Sequence, residues 1–372
     1  MKKRIISLFL AAMMLFHLTA CNIRESANPG TDNKNKADNI EVVTDTNIET
    51  RIFTDSCGRK VELPKEIKSY VPSGPLAQII LYAIAPEEMT GLAVKWYDSA
   101  KGIISERALG LPYLGQMYGS ANLNIEELAL ADPQVLIDMG EVKPSVSEDL
   151  DILMEQTDIP TVYVESNMEK MPETFRMLGE LLGKEEKAEE LAQFCEKTYN
   201  RTVHIMENVG ENRVKGLFLV GEKGLNVLAK TSFQAETFDM LVDNLAVIEN
   251  PVSKGTGNEV TMEQIALWNP DFILFGPKSM YQDAESDLSF RELKAIKNKN
   301  YVEVPEGPHN WMGSPPAVQQ YLGLIWLTAE LYPEYCDYDV KEEIMEYYRL
   351  FYSCELTEEQ YEELTAKAFR LD

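Results

Sequence analysis

The side chains best suited to metal binding or nucleophilic catalysis are scarce in this chain, which has three histidines and five cysteines. His17 lies in an apolar N-terminal stretch, and His204 lies in a helical pattern that favours a surface or packing role. Only His309 falls in a loop that could face a cleft. Because catalytic zinc sites commonly take several histidines as ligands, the sequence predicts no metal site built from histidine side chains.

The cysteines and the short motifs give no sign of catalysis either. Four cysteines follow Cys21, and none of them belongs to a C-x-x-C or another metal-binding spacing. Cys195 has the surroundings of a small buried residue, whereas Cys336 and Cys354 could form a disulfide in an oxidising compartment. The chain has no G-x-S-x-G, H-E-x-x-H or G-x-G-x-x-G motif. We therefore predict no catalytic residues and no cofactor.

Two carboxylates stand at the same place in a motif that occurs twice. Residues 124–137 align without gaps on residues 261–274, and each copy carries a glutamate at its third position. The four identical positions are Glu126 with Glu263, Ala129 with Ala266, Leu130 with Leu267 and Pro133 with Pro270. Two copies of one unit predict two lobes of similar build, with one of these glutamates on each lobe.

Each copy predicts a short capped helix followed by a buried strand. Asn124 and Thr261 are good N-cap residues, and a Glu or Gln follows each of them three positions later, as in a capping box. A proline then ends the helix, since the residue before proline is pushed out of the helical region. The side chains expected to face inward are Leu128, Ala129, Ile265 and Ala266. Glu126 and Glu263 fall in exposed first turns, where a carboxylate favours the helix dipole, so helix stabilisation alone could explain either one.

Residues 1–20 have the composition of a cleaved targeting segment. A basic Lys-Lys-Arg start precedes an apolar stretch that is too short to span a membrane comfortably. The segment ends in Leu-Thr-Ala-Cys, which looks like a lipoprotein cleavage box with Cys21 as the lipidated first residue. An ordinary secretory signal with a chance cysteine is the alternative. Residues 21–50 are polar and carry few large apolar side chains, which predicts a flexible linker.

The chain is strongly acidic. Its formal charge is −26, and loss of the three basic residues of the targeting segment takes the charge to −29. A surface of that sign repels nucleic acid and anionic lipid headgroups. We therefore predict no nucleic-acid partner and no membrane contact other than the lipid anchor.

Strand and helix patterns alternate on either side of a long helical stretch. Residues 51–170 begin with a hairpin pattern and continue with strands and short helices, including a strand predicted at Met89–Val94. Residues 171–209 have no strand pattern, and the helix predicted from Glu185 onward is long enough to connect two lobes. Residues 210–372 return to the alternation and end in an acidic helical tail. The predicted fold class is α/β, with two Rossmann-like lobes of mostly parallel sheet joined by one long helix.

The order and spacing of these segments resemble the solute-binding lipoproteins of ABC importers for iron–siderophore complexes, haem and vitamin B12. These are the class III type of periplasmic binding protein. The similarity covers about residues 51–335 and rests on residues 55–64, on both copies of the glutamate motif, and on residues 290–305 and 311–333. It implies two α/β lobes joined by one long helix, which agrees with the pattern above. The tail after about residue 335 is longer than the resemblance implies.

The resemblance also implies the partners and the location. In the family, a glutamate on each lobe docks onto arginines of the membrane permease, and the matching residues here are Glu126 and Glu263. The partners implied are an ABC permease with its ATPase and a small metal chelate or corrinoid, bound by a monomer. The protein is then exported and lipid-anchored through Cys21 at the outer face of the cytoplasmic membrane, on the cell surface or in the periplasm.

The ligand is expected in a cleft where strand ends and their loops converge. The candidate binding residues are Ser73, Gly74, Trp96, Tyr97, Gln116 and Tyr118 in the first lobe and His309, Asn310 and Trp311 in the second. Aromatic faces suit a flat macrocycle or a catecholate, and His309 could reach an open coordination position of a bound metal. Core packing of the aromatic residues and a solvent-facing position for His309 are the alternatives.

Two other functions fit a similar two-lobe scaffold. An exported enzyme would show a paired acid and base with shifted pKa values in the cleft. A ligand sensor would share the cleft but would not need both Glu126 and Glu263.

Overall fold

The computed structural model describes residues 49–252 and 254–370. The targeting segment predicted at 1–20, Cys21 and almost all of the predicted linker lie outside the described residues. None of the helices in the described ranges combines the length and apolar character needed to cross a bilayer.

The elements alternate along the chain as the sequence patterns predict. The strands are β1 (Thr50–Thr54), β2 (Lys60–Pro64), β3 (Tyr70–Pro72), β4 (Val135–Gly140), β5 (Thr161–Glu165), β6 (Lys215–Val220), β7 (Asn226–Val227), β8 (Asp243–Asn244), β9 (Asn258–Glu259), β10 (Phe272–Phe275) and β11 (Tyr301–Glu303). The α-helices are α1 (Pro75–Ile84), α2 (Glu106–Leu109), α3 (Ile125–Ala131), α4 (Val146–Thr157), α5 (Met171–Leu182), α6 (Glu185–Val209), α7 (Glu236–Leu241), α8 (Met262–Trp268), α9 (Lys294–Lys297), α10 (Gln320–Leu331), α11 (Val340–Tyr352) and α12 (Glu358–Thr365). Short 3-10 helices lie at Pro86–Glu88, Asp98–Ala100, Phe233–Ala235, Phe290–Glu292 and Pro333–Tyr335.

The first lobe contains the predicted hairpin and a parallel sheet. Strands β1 and β2 pair antiparallel, and β3, β4 and β5 form a parallel sheet in that order. Tyr70 pairs with Val135, and Leu136 pairs with Thr161. The side chains of β4 are buried on both faces, as expected for a parallel strand covered by helices.

The strand predicted at Met89–Val94 is not formed. Met89 and Leu92 make only isolated bridges, to Tyr70 and Tyr113. The reason is visible at Val94, whose backbone N–H donates to the side-chain oxygen of Gln78 at 3.0 Å instead of to a neighbouring strand. The apolar run is buried all the same, so burial rather than strand pairing accounts for its composition.

The second lobe is built on a sheet of order β11-β10-β6-β7-β9, with β8 paired to β6. Strands β6, β8, β10 and β11 run parallel, whereas β7 pairs antiparallel with β6 and with β9. Both copies of the repeated motif therefore supply the middle strand of a parallel set, β4 in the first lobe and β10 in the second. The predicted α/β fold class with two mostly parallel sheets is confirmed.

The long helix α6 has 25 residues, which corresponds to about 38 Å at 1.5 Å per residue. It packs along α5 and also contacts α10 of the second lobe. A hydrogen bond ties the same region together, because the Tyr321 hydroxyl on α10 donates to the Met168 carbonyl just before α5 at 2.6 Å.

The C-terminal tail, α11 and α12, packs against both lobes. From α11, Phe351 packs edge-on against Phe175 of α5 at 5.9 Å between ring centroids. Tyr352 lies 6.4 Å from Tyr82 of α1. On the other side, the Trp326 indole N–H of α10 donates to the Ala368 carbonyl at 2.6 Å. The tail is therefore part of the compact structure and joins the lobes from outside the sheets.

One sequence-based expectation about side chains is wrong, and one disulfide that the sequence left open is not formed. Leu128 and Ile265 are fully buried as predicted, but the neighbouring Ala129 and Ala266 are exposed. The helices that carry them have seven residues each, so each one buries a stripe that is essentially one side chain wide. Cys336 and Cys354 do not form a disulfide; both are free thiols.

Candidate functional site

A cavity of about 820 Å³ lies beside the carboxyl ends of β10 and β11 of the second lobe. The first lobe contributes Ser99 and Lys101, and the second contributes Pro277 after β10 and Glu306 after β11. Leu364 of α12 closes one side. A cavity of this size is within the range of small-molecule sites, and it lies where α/β sheets usually bind ligands.

Ser73 and Gly74 form the turn between β3 and α1. The Ser73 hydroxyl donates to a carboxylate oxygen of Asp138 at the end of β4, and both side chains are buried. Burial raises the pKa of Asp138, while the hydrogen bond from Ser73 opposes that rise. Gly74 caps α1 without a side-chain bond, and Pro75 occupies the first helical position. The backbone N–H groups beyond the proline therefore remain the polar groups that this turn can offer.

Trp96, Tyr97 and His309 come together across the two lobes. The imidazole lies 5.5 Å from the Trp96 ring and 5.6 Å from the Tyr97 ring, between centroids. Tyr97 is 55% exposed, whereas His309 is only 2% exposed. A hydrogen bond from Ser99 to the Pro308 carbonyl at 3.2 Å holds the loop in place. The alternative of a solvent-facing histidine is therefore wrong.

The buried imidazole has no hydrogen-bond partner on either ring nitrogen among the described residues. Burial lowers the pKa of His309 from 6.5 to about 4. The ring is therefore neutral at physiological pH, and one of its nitrogens carries a free lone pair. The Trp96 indole N–H is also buried without a partner in this part of the chain.

Gln116 and Tyr118 lie on a loop held against the end of β3, because the Met117 N–H donates to the Ser73 carbonyl at 2.8 Å. The Gln116 amide donates to Ser120 at 2.8 Å. The Tyr118 hydroxyl donates to Asp149 at 3.2 Å. Burial raises the pKa of Tyr118. Both side chains are half-buried.

Asn310 and Trp311 follow His309 but point to different surroundings. The side-chain oxygen of Asn310 accepts from the N–H groups of Met312 and Ser314, each at 3.2 Å, and orders the loop. Trp311 is fully buried, packs on Trp326 at 6.0 Å and donates its indole N–H to the Tyr348 hydroxyl at 3.2 Å. Trp311 is thus a core residue and offers no surface to a ligand, which corrects its place among the candidates.

A smaller cavity of about 190 Å³ lies beside the ends of β6 and β10. Gly221, Gln234 and Asn310 line it, and the side-chain oxygen of Gln234 is buried without a hydrogen-bond partner among the described residues. Sequence reasoning missed Gln234, since no motif surrounds it. Its position just before α7, at the carboxyl end of the second sheet, is the signal that could have pointed to it.

Glu126 and Glu263 are exposed in the first turns of α3 and α8. Their helices are already capped, because Asn124 accepts from the N–H of Glu126 at 3.1 Å and Thr261 accepts from the N–H of Gln264 at 3.2 Å. Hydrogen bonds from its own backbone N–H and from Thr261 lower the pKa of Glu263. Within the described ranges neither carboxylate forms an ion pair.

The sequence profile of the family described as periplasmic binding protein matches residues 109–307, and the chain belongs to that family. The chain is similar to an ABC transporter solute-binding protein of Sulfurospirillum deleyianum, with 26% identity and a TM-score of 0.78 over 85% of this chain and 99% of that one. The protein is thus of the solute-binding class that works outside the cytoplasm with an ABC permease and its ATPase. A search of curated proteins finds no match.

Two further structures share the fold. A periplasmic solute-binding protein of Veillonella parvula is 23% identical, with a TM-score of 0.72 over 86% of this chain and 98% of that one. The molybdate periplasmic binding protein MolA of Haemophilus influenzae is 19% identical, with a TM-score of 0.64 over 82% of this chain and 99% of that one. At these identities the likeness concerns the fold.

Proposed function

We propose that this protein captures an iron chelate, haem or a corrinoid between its lobes and delivers it to an ABC permease. The observation that carries the ligand class is His309, whose buried and unpartnered imidazole lies against Trp96 and Tyr97 of the opposite lobe. A neutral imidazole is a good ligand for iron and similar metals. A metal already held by a chelator or a macrocycle has few open positions, and a single imidazole can fill one of them.

The aromatic side chains suit the organic part of such a ligand. Tyr97 exposes more than half of its surface, and both its ring and the Trp96 ring lie against His309. Flat aromatic faces bind catechol rings and tetrapyrroles through stacking and apolar contact. The fold alone does not select this class, since the Haemophilus influenzae protein of the same fold binds molybdate.

The remaining candidates would surround this aromatic centre. Gly74 offers the backbone N–H groups of the β3–α1 turn, and Ser73 lies beside it. Gln116 and Tyr118 of the first lobe and Asn310 of the second, which lines the smaller cavity, would add polar groups. We leave Trp311 out of the proposed site because it packs on Trp326 in the core and its indole N–H is already paired, unlike the ring nitrogens of His309 in the described chain.

Membrane attachment and docking complete the proposal. Cys21 would carry the lipid anchor, which keeps a single copy of the protein at the outer face of the cytoplasmic membrane, facing the periplasm or the cell exterior. Glu126 and Glu263, one on each lobe and both without an ion-pair partner in the described chain, would pair with basic residues of the permease. Pairs of this kind mainly fix the register of a complex and raise its association rate.

Calorimetry tests the ligand class. The probes are a ferric catecholate, a ferric hydroxamate, haem, cobalamin, free Fe³⁺ and molybdate. We expect one of the four chelates to bind tightly and free Fe³⁺ and molybdate to bind weakly. H309Q and Y97A should each lower that affinity about tenfold or more, whereas the matched variant Y335A, which removes an exposed ring outside the cleft, should not. Failure of the wild-type protein to bind any chelate would contradict the ligand class and leave the fold intact.

A further inference from the structure

The two copies of the repeated motif agree at the surface and differ in the core. Of the four identical positions, the glutamate, the alanine and the leucine are exposed, and only the proline is buried. The residues that hold each helix to its lobe, Leu128 and Ile265, are not identical. Packing explains similarity at buried positions, but it does not explain identity at exposed ones.

The two leucines are unusually exposed. Leu130 is 79% exposed and Leu267 is 77% exposed, more than any other large apolar side chain among the residues that the structure describes. A single exposed leucine needs no explanation, since much of any protein surface is apolar. Two of them at equivalent positions of two lobes, each beside the same carboxylate, form a repeated feature.

Helical spacing places the three exposed residues of each copy on one face. Residues at positions i, i+3 and i+4 of a helix are neighbours. One patch therefore consists of Glu126, Ala129 and Leu130, and the other consists of Glu263, Ala266 and Leu267. In each patch a carboxylate lies beside a small residue and an apolar side chain. We call these two sets the twin patches.

The fold does not need the twin patches for its own stability. Asn124 and Thr261 already cap the two helices by accepting from first-turn N–H groups. The exposed leucines make few contacts with their own lobes, and a polar residue such as Gln or Lys would be nearly as good a helix former. Leucine at these positions therefore indicates a partner surface.

We propose that Leu130 and Leu267 are apolar anchors for docking onto the permease, each entering a pocket beside a basic residue on one of its two equivalent halves. This proposal rests on the proposed function and adds an apolar contact to the carboxylates. Two equivalent patches fit a partner with two equivalent halves. The free carboxylate beside each leucine calls for a basic partner, which argues against a second copy of this acidic chain, with its formal charge of −26, as the occupant.

The leucines and the glutamates should act on different steps of binding. Charges at the rim of an interface mainly change the association rate and its dependence on salt. Apolar anchors seated in pockets mainly change the dissociation rate, and they carry a large share of the binding energy. This separation of effects allows the two contributions to be measured independently.

The test is the binding of the ligand-free protein to its cognate permease complex in nanodiscs. The variants are L130A, L267A, their double variant and E126Q with E263Q, and the matched control is L288A, whose leucine is 71% exposed outside both patches. We expect L130A and L267A each to weaken binding about tenfold, or about 1.4 kcal/mol. The double variant should lose about a hundredfold through faster dissociation, with an unchanged salt dependence. E126Q with E263Q should instead slow association and flatten the salt dependence.

The possible results distinguish failure of the leucine anchors from failure of the proposed function. If the wild-type protein binds the permease and L130A with L267A binds as tightly as L288A, the leucines are not anchors, while the proposed function stands. If the wild-type protein does not bind the permease at all, the proposed function itself fails. If the double variant abolishes self-association in sedimentation and leaves permease binding unchanged, the twin patches join two copies of this chain and the proposal is wrong.

Discussion

The two repeated units resemble each other closely, whereas the two sides of the cleft between the lobes carry different side chains. Helices α3 and α8 have the same length, and both end in a left-handed residue, Asp132 or Asn269. Each is followed by the middle strand of a parallel set. The cleft has no such symmetry, since Trp96 and Tyr97 on one side face His309 on the other. A duplicated frame suits a partner with two like halves, and an asymmetric cleft suits one particular ligand.

The largest effect should come from the buried residues of the duplicated frame. L128A and I265A remove fully buried side chains from equivalent positions, so each should lower the free energy of unfolding by about 2–5 kcal/mol. The matched surface variants L130A and L267A should change it by no more than about 0.5 kcal/mol. Chemical denaturation measures both pairs. A large loss from L130A would show that the exposed leucine supports its own lobe.

The pH dependence of stability tests the asymmetric cleft. Because the pKa of His309 in the folded protein is lowered to about 4, the unfolded chain binds a proton more readily. Stability is therefore fully present above about pH 6.5 and is lost as the pH falls towards 4, by about 3 kcal/mol over the window. H309Q should remove this part of the acid sensitivity. H204Q, at an exposed histidine, is the control, and an equal change from H204Q would contradict the assignment.

The smallest effect on the isolated protein should come from the duplicated carboxylates. E126A with E263A should leave folding and ligand affinity nearly unchanged, because both side chains are exposed and the helices are capped by Asn124 and Thr261. Uptake, or ligand-stimulated ATPase activity of the reconstituted permease, should fall about tenfold or more, with each single variant in between. Normal uptake by the double variant at limiting protein concentration would show that the two glutamates stabilise their helices and do not dock onto the permease.

Local sequence patterns predict the hairpin, the capped helices and the long helix well, because interactions between residues close in sequence determine them. The hairpin of β1 and β2, the caps at Asn124 and Thr261 and the long helix α6 depend on turn residues, capping side chains and helical periodicity within a few positions. The duplication could be found because it is itself a sequence pattern. Equivalent glutamates on two lobes followed from it directly.

The cleft was harder to predict because contacts between distant segments decide it. Trp311 and His309 are two positions apart, yet one joins the core against Trp326 and the other meets Tyr97 from the opposite lobe. Nothing within a few residues of either position distinguishes these outcomes. The run from Met89 to Val94 has the composition of a strand, but Gln78 from α1 takes the N–H of Val94 and no ladder forms.

The tail that packs on both lobes bears on how a ligand enters and leaves. Tyr352 and Phe351 contact α1 and α5. The Ala368 carbonyl accepts a hydrogen bond from Trp326 of α10 in the second lobe. A hinge opening of the lobes would have to break the contacts of the tail with one lobe or the other. Exchange of the ligand should therefore proceed by small movements of side chains, such as rotation of the exposed Tyr97 ring. The permease would then bind a nearly rigid protein. It would recognise the distance between the twin patches rather than a conformational change.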